Sequence, residues 1–318
     1  MKTSQRLGAR IGRLTVLGVL GMVTLSAAAC GNNANAGSGT SDTGVINAVG
    51  AENQYADVLS QIGGRYVHVS SILNNPNTDP HTFESSPSVA EEVSAAQLIV
   101  QNGAGYDPFM DTIESASPNP NRKIIVAQHV LSLPVDTPNP HLWYKPNTMP
   151  AVAEMMAKDL SELRPSHAAY FDANLKAFVA SLAPLQAAIA GFKAQFPGTT
   201  VAVTEPVADY LLQAMGMRIL TPFRFQADIM YGVDPNPQDI TLEDGFFTKH
   251  QVKFFAYNQQ VIDDLTTSIR ENAVHAGIPV VGVYETMPTP GYDYQSWMMA
   301  EVRAFRSAVT SRTSTEHL

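Results

Sequence analysis

The chain has 318 residues, 45% hydrophobic and 15% charged, which excludes a disordered chain and supplies enough apolar material for more than one core. Its formal net charge is −9 at pH 7, from 29 acidic against 20 basic side chains, which argues against a nucleic-acid partner and mildly favours cations nearby. The single cysteine, Cys30, excludes an internal disulfide framework.

Residues 1–29 differ in kind from the rest. Lys2, Arg6, Arg10 and Arg13 make a basic start, an apolar run follows from Leu14 to Leu25, and the small residues Ser26, Ala27, Ala28 and Ala29 close it. This is the pattern of a secretory signal peptide. Cys30 stands where such a peptide is cut, and the segment resembles a bacterial lipobox, with Ala27 where leucine is common. That resemblance implies a lipidated Cys30 as the mature N-terminus; an ordinary secretion signal with an incidental cysteine is the plainer alternative. Residues 31–43, GNNANAGSGTSDT, lack any sizeable apolar side chain and read, with Cys30, as a flexible tether.

The fold is expected from residue 44 onward. Val45 to Val49 is a short apolar run, Tyr55 to Ile62 reads as helix, and Tyr66 to Leu73 alternates like a strand. Helix over 88–96, strand over 98–101, helix over 108–113 and strand over 123–127 continue the alternation. A second series repeats the grammar: strand 200–204, helix 207–215, strand 218–220, helix 240–250, strand 253–257, helix 261–276, strand 279–283 and a closing helix from Tyr294 to about Thr310. Strands and helices in turn argue for parallel sheets covered on both faces. The fold class is therefore α/β: two similar lobes, each a parallel sheet flanked by helices, joined by one long helix, with a ligand cleft between them. The boundaries are 44–148 for the first lobe, 149–197 for a helical linker and 198–318 for the second lobe.

Within the linker, Phe171, Leu175, Phe178, Leu182, Leu185, Ile189 and Phe192 recur at spacings of 4 and 3, so all seven share one helical face. Ser166 after Pro165 can cap the start, Pro197-Gly198 ends the helix, and Pro184 should bend it. A seam with a second chain would use the same stripe, but packing against the lobes of a monomer is the expectation.

The chemistry is carried by a phrase that occurs twice. Asp79-Pro80-His81-Thr82-Phe83 and Asn139-Pro140-His141-Leu142-Trp143 share a Pro-His-x-aromatic pattern sixty residues apart. Histidine is the commonest protein metal ligand, and the preceding proline restricts the backbone that aims it. Parallel sheets place ligands at the carboxyl ends of their strands. His81 and His141 lie beyond strand ends of the first lobe, Glu205 and Glu285 directly after strands of the second. Two neutral imidazoles and two carboxylates balance the charge of a divalent cation, and four protein ligands close its coordination sphere, as in a holding rather than a catalytic site.

Beyond these residues, the stretches NPNTDPHTFESSPS, QNGAGYDPFM, NPHLWYKP, TEPVADYLLQAMGM and DPNPQDI resemble the metal-binding solute-binding lipoproteins of ABC importers, the cluster with a rigid linking helix. The similarity runs over nearly the whole chain after the signal peptide. It implies metal ligation by His81, His141 and Glu205, with Glu285 in VYETMP at a fourth position that is usually aspartate. Asp293 is the reserve candidate for that fourth position. Glutamate at the third position is similar to the manganese branch, and residues 131–139 lack the His-rich loop common in zinc members. Zinc still binds N/O sites more tightly by intrinsic affinity, so Zn2+ and Mn2+ both stay open as the one bound ion. Asp79 and Glu84 are placed either to orient an imidazole or to cap the loop, and Trp143 and Trp297 either to wall the cleft or to fill the core.

The resemblance implies an extracytoplasmic binding protein, not an enzyme, that captures the metal and delivers it to an ABC permease and, through it, a cytoplasmic ATPase. It implies anchoring to the cell membrane by lipid, at the cell surface or in a periplasm. Two other classes use the same features: a secreted metallohydrolase with Glu205 or Glu285 as general base, and a metal-binding surface adhesin. No HExxH phrase supports the hydrolase. Because a ligating imidazole must be unprotonated, binding should weaken as pH falls through about 6, near the reference histidine value.

Overall fold

A computed structural model describes residues 44–77, 79–288 and 290–318. The expected signal peptide, Cys30 and the tether lie outside the described residues. In chain order the first lobe contains β1 (Ile46–Glu52), α1 (Asn53–Gly63), β2 (Val67–Leu73), α2 (Pro87–Ala95), β3 (Leu98–Gln101), α3 (Pro108–Ala116), β4 (Lys123–Val126), α4 (Ala127–Val130) and α5 (Thr148–Leu163). Then come α6 (Ala168–Ser181) and α7 (Ala183–Gln195). The second lobe follows with β5 (Thr200–Val203), α8 (Asp209–Ala214), β6 (Arg218–Ile219), α9 (Phe223–Met230), α10 (Pro237–Thr248), β7 (Phe255–Asn258), α11 (Asp264–His275), β8 (Val280–Val283) and α12 (Tyr294–Ser311).

Each lobe holds a four-stranded, wholly parallel sheet, ordered β2-β1-β3-β4 in the first and β6-β5-β7-β8 in the second. The two orders are the same topology. In each, the chain leaves the first strand toward one side and later returns on the other, which opens a crevice at the carboxyl ends of β1 and β3 and of β5 and β7. The inner strands are buried on both faces, as parallel strands under helices must be: Leu98, Ile99 and Val100 of β3 and Phe255, Ala256 and Tyr257 of β7 are all in the core.

The linker differs from a single rod. A 3-10 turn at Pro165–His167 precedes α6, so His167 rather than Ser166 is the residue before the first helical turn, and the backbone of Leu182 separates α6 from α7. Pro184 lies in the first turn of α7, where its missing N–H costs nothing, and this is the expected bend. Six of the seven stripe residues are buried and Leu175 is half-buried. α6 packs on α1 and α5, and α7 packs on α8 and α12, so the stripe spans both lobes. One continuous apolar cluster runs from Ile46 and Leu98 through Phe171, Phe178 and Phe192 to Val281, Trp297 and Phe305. The two lobes share this core.

Two glycines are required by geometry. Gly277 ends α11 at φ +69°, a left-handed backbone that side chains disfavour. Gly282 in β8 lies under the C-terminal tail, where Thr315 N–H donates to Val280 O and Gly282 N–H donates to Thr315 O, both at 2.9 Å. A Cβ there would lie 2.0 Å from Glu316 O. Gly282→Ala is therefore expected to lift the tail and expose the edge of β8, costing about 1–3 kcal/mol. Urea unfolding should show a lower midpoint; an unchanged midpoint would mean that the tail contributes nothing.

Candidate metal centre

The duplicated phrase builds the same turn twice. Beyond β2, Asp79 Oδ1 accepts the His81 N–H at 2.8 Å and opens the 3-10 turn Pro80–Thr82. Beyond β4, Asn139 Oδ1 accepts the His141 N–H at 3.0 Å ahead of the turn Leu142–Tyr144. In both, the side chain two residues before the histidine accepts the histidine N–H across the proline; Asp79 thereby caps its 3-10 turn, whereas His141 itself precedes the second turn. The sequence phrase thus encoded position −2 as well as the histidine itself.

His141 is fully buried. Its Nδ1 lies 2.9 Å from Asn139 Oδ1, and Asn139 Nδ2 donates to Pro206 O at 2.7 Å, which fixes the Asn139 amide with its oxygen toward the ring. Nδ1 therefore carries the proton and Nε2 presents its lone pair to the cleft. From behind, Asn102 at the end of β3 donates to Pro140 O at 2.8 Å, and the Asp107 carboxylate holds that bend by accepting from the Asn102 and Gly103 N–H groups at 2.6 and 2.8 Å.

The second lobe brings two carboxylates and an amide. Glu285, just past β8, is fully buried; its N–H donates to Gln260 Oε1 at 2.7 Å, and its carbonyl accepts from Gln54 Nε2 at 3.3 Å. Asn53, at the start of α1, clamps the next turn by pairing both ways with the Met287 backbone at 2.8 Å. Glu285 Oε2 lies 3.1 Å from His81 Nε2 and 3.2 Å from His141 Nε2, and accepts the Tyr106 hydroxyl at 3.1 Å. The His81 contact is a charge contact without hydrogen-bond alignment. Glu205, just past β5, is buried and is joined to Glu285 through Asn258 Nδ2, at 3.1 Å from Glu205 Oε1 and 2.8 Å from Glu285 Oε1. Glu205 Oε2 is buried without a hydrogen-bond partner. Among the described residues, His81, His141 and Glu285 bring one donor atom each within 4.8 Å of one another; Glu205, the fourth expected ligand, stands outside that group and is tied to it through Asn258.

The charges of this cluster act on each other strongly because water is nearly absent. Burial would depress the His81 pKa, but the Glu285 carboxylate, with Glu205 and Asp79 further off, overrides it and raises the imidazole to about 9. Burial holds His141 below the usual histidine value, Glu285 offsetting only part of the effect. Burial and then repulsion from Glu285 push Glu205 well above the carboxylate range. Glu285, despite its burial, is held below that range by the two imidazoles.

The other expected residues divide. Asp79 caps the His81 turn and adds its charge to the site. Trp143 is fully buried with its ring 5.4 Å from His141 and 4.9 Å from Tyr106, so it walls the centre. Trp297 packs edge-on against Tyr144 at 5.5 Å in the shared core, away from the four candidate ligands. Glu84 is solvent-exposed. Asp293 corrects the expectation: it is exposed and caps α12, accepting the Ser296 N–H at 2.8 Å, so its carboxylate is committed to a helix start. Tyr106, Asn139 and Asn258 were not singled out by sequence reasoning. Only Asn139 carried a signal, its place in the repeated phrase.

A family model described as zinc-uptake complex component A, periplasmic, matches residues 49–308. The chain belongs to this family. It is 28% identical over 188 residues to the metal ABC transporter substrate-binding lipoprotein SsaB of Streptococcus sanguinis, covering 55% of this chain and 59% of that one. It is 29% identical over 185 residues to the manganese ABC transporter substrate-binding lipoprotein scaA of Streptococcus gordonii, covering 54% and 58%. The chain spans about three fifths of the length of these relatives. In structure it is similar to the periplasmic zinc binding protein TroA from Treponema pallidum, with a TM-score of 0.72 at 16% identity over 84% of this chain and 99% of that one. That likeness establishes the fold: two parallel-sheet lobes on a bent linking helix.

Proposed function

We propose that this zinc-uptake family member captures one divalent transition metal, zinc or manganese, outside the cytoplasmic membrane and hands it to an ABC permease driven by a cytoplasmic ATPase. His81, His141, Glu205 and Glu285 are the ligands in this reading, and the protein is a binding component rather than an enzyme. The observation that carries it is the convergence of His81 Nε2, His141 Nε2 and Glu285 Oε2, from opposing lobes, within 4.8 Å. The names of the relatives support the transport role. So does the charge of the set, which two carboxylates bring to that of a divalent cation's complement. Lipidation at Cys30 would tether the monomer to the membrane, where captured ions reach the permease without dilution.

Calorimetry on chelator-stripped protein should show one tight site per chain for zinc or manganese, lost in both His81→Ala and His141→Ala. An unchanged isotherm in the two variants would overturn the reading.

A further inference from the structure

We propose that Asn258 sets how many donor atoms the centre offers: its amide claims one oxygen of each carboxylate, makes Glu205 and Glu285 one-point ligands, and so favours ions content with four donors over ions that take six. This rests on the metal-capture reading above and deepens it toward the choice of ion.

A primary amide has two N–H bonds, and both are spent here, at 3.1 Å on Glu205 Oε1 and at 2.8 Å on Glu285 Oε1. The amide cannot turn over without loss, because Asn258 Oδ1 accepts the Gln260 N–H at 3.0 Å. Its backbone is held as well, the Asn258 N–H donating to Thr204 Oγ1 at 3.0 Å. The position follows from topology: β7 lies between β5 and β8, so the residue ending β7 stands between the carboxylates that follow its two neighbours. Asn258 is fully buried, so no water competes for these bonds.

With each Oε1 turned toward the Asn258 amide and sharing its charge with an N–H, Oε2 is the oxygen each carboxylate can bring to an ion at full strength. Glu285 Oε2 faces both imidazoles and accepts only the Tyr106 hydroxyl, which leaves a lone pair for the ion, and Glu205 Oε2 has no partner. With Glu205 Oε2 added to the three donor atoms already gathered, two nitrogens and two single oxygens would make the four-coordinate N/O set that suits zinc. An ion that prefers six oxygen-rich contacts, such as manganese, would need both carboxylates to chelate, and the Asn258 amide holds the atoms required.

X-ray absorption of the zinc-loaded wild-type protein should give about four N/O neighbours, and Asn258→Ala should raise that number. Competition titrations should show the manganese-to-zinc ratio of dissociation constants falling by about tenfold in Asn258→Ala, the scale typical of groups that orient metal ligands. A merely structural loss would weaken both ions alike and leave the ratio in place. A wild-type spectrum with five or six neighbours overturns the proposal even if the variant fails to fold, as does an unmoved ratio in a folded variant. If His81→Ala and His141→Ala bind as wild type does, the metal-capture reading fails and this one with it. If they lose binding while the ratio stays fixed in Asn258→Ala, only the Asn258 proposal fails.

Discussion

Glu285→Gln is expected to weaken metal binding by roughly two to three orders of magnitude while leaving the protein folded. The substitution keeps the side chain's volume but removes the charge against which both imidazoles are set, at 3.1 and 3.2 Å. Protein zinc sites are worth roughly 10–16 kcal/mol, so one of four ligands accounts for about 3 kcal/mol, or about a hundredfold or more in dissociation constant. Asp293→Asn is the matched control. Its carboxylate caps α12 at the surface, so it should leave metal affinity unchanged and cost at most about 1 kcal/mol of stability through the weakened cap. Chelator-competition titrations of the two variants decide the fourth ligand, and equal losses in both would sink the assignment to Glu285.

A steep dependence on acidity is the second large effect. The His81 imidazole, raised to about 9 by the facing carboxylates, holds a proton at neutral pH that must leave before the ring can ligate. As pH falls below about 9, apparent affinity should therefore drop by about tenfold per unit, and it should level off above that value. Glu205, pushed up by burial and by repulsion from Glu285, shifts in the same sense, so lowering the pH opposes ligation there too. His141, held below the usual value, adds nothing near neutrality. The reference histidine value places the onset near pH 6; the charges gathered around His81 move it upward. Calorimetry in buffers of different ionisation enthalpy, repeated from pH 6.5 to 9, should detect this proton release. A flat affinity between pH 7 and 8.5 would rule out the protonated His81.

Periodicity and strand-end placement made much of this molecule legible. Alternation and apolar runs marked the eight strands of the described residues to within a few residues, the first only as an apolar run, because buried parallel strands are written as short Val/Ile runs such as Leu98–Gln101 and Val280–Val283. Helix α9, over Phe223–Met230, escaped because eight residues between two proline-bearing loops present barely two turns of pattern. Ser166 was a plausible cap on residue type alone, but a 3-10 turn shifted the start of α6 past it. Among the candidate ligands, the two histidines and two glutamates stood out because proline or strand ends marked them. Asn258 and Tyr106 carry no such mark: each matters only through what chain folding sets beside it, at separations of 27 and 179 residues from Glu285. Asp293 misled for the converse reason, since an acidic residue near a candidate ligand and one that opens a helix look alike in a string of letters.

The uneven shielding of the centre orders events in time. His141 and Glu285 have no solvent-accessible side chain, whereas His81 keeps about 20% of its own open, on the wall of a ≈ 480 Å³ hollow that also includes Asp79, Tyr231 and Ile262. On the metal-capture proposal, an arriving ion would meet His81 first and shed water there before the inner donors could grip it. The rates of loading and unloading would then be governed at that threshold, and the tightness of the finished complex further in. Substitutions at Tyr231 or Ile262, which line the hollow without touching the proposed ligands, should change how quickly the ion is exchanged without changing how firmly it is finally held.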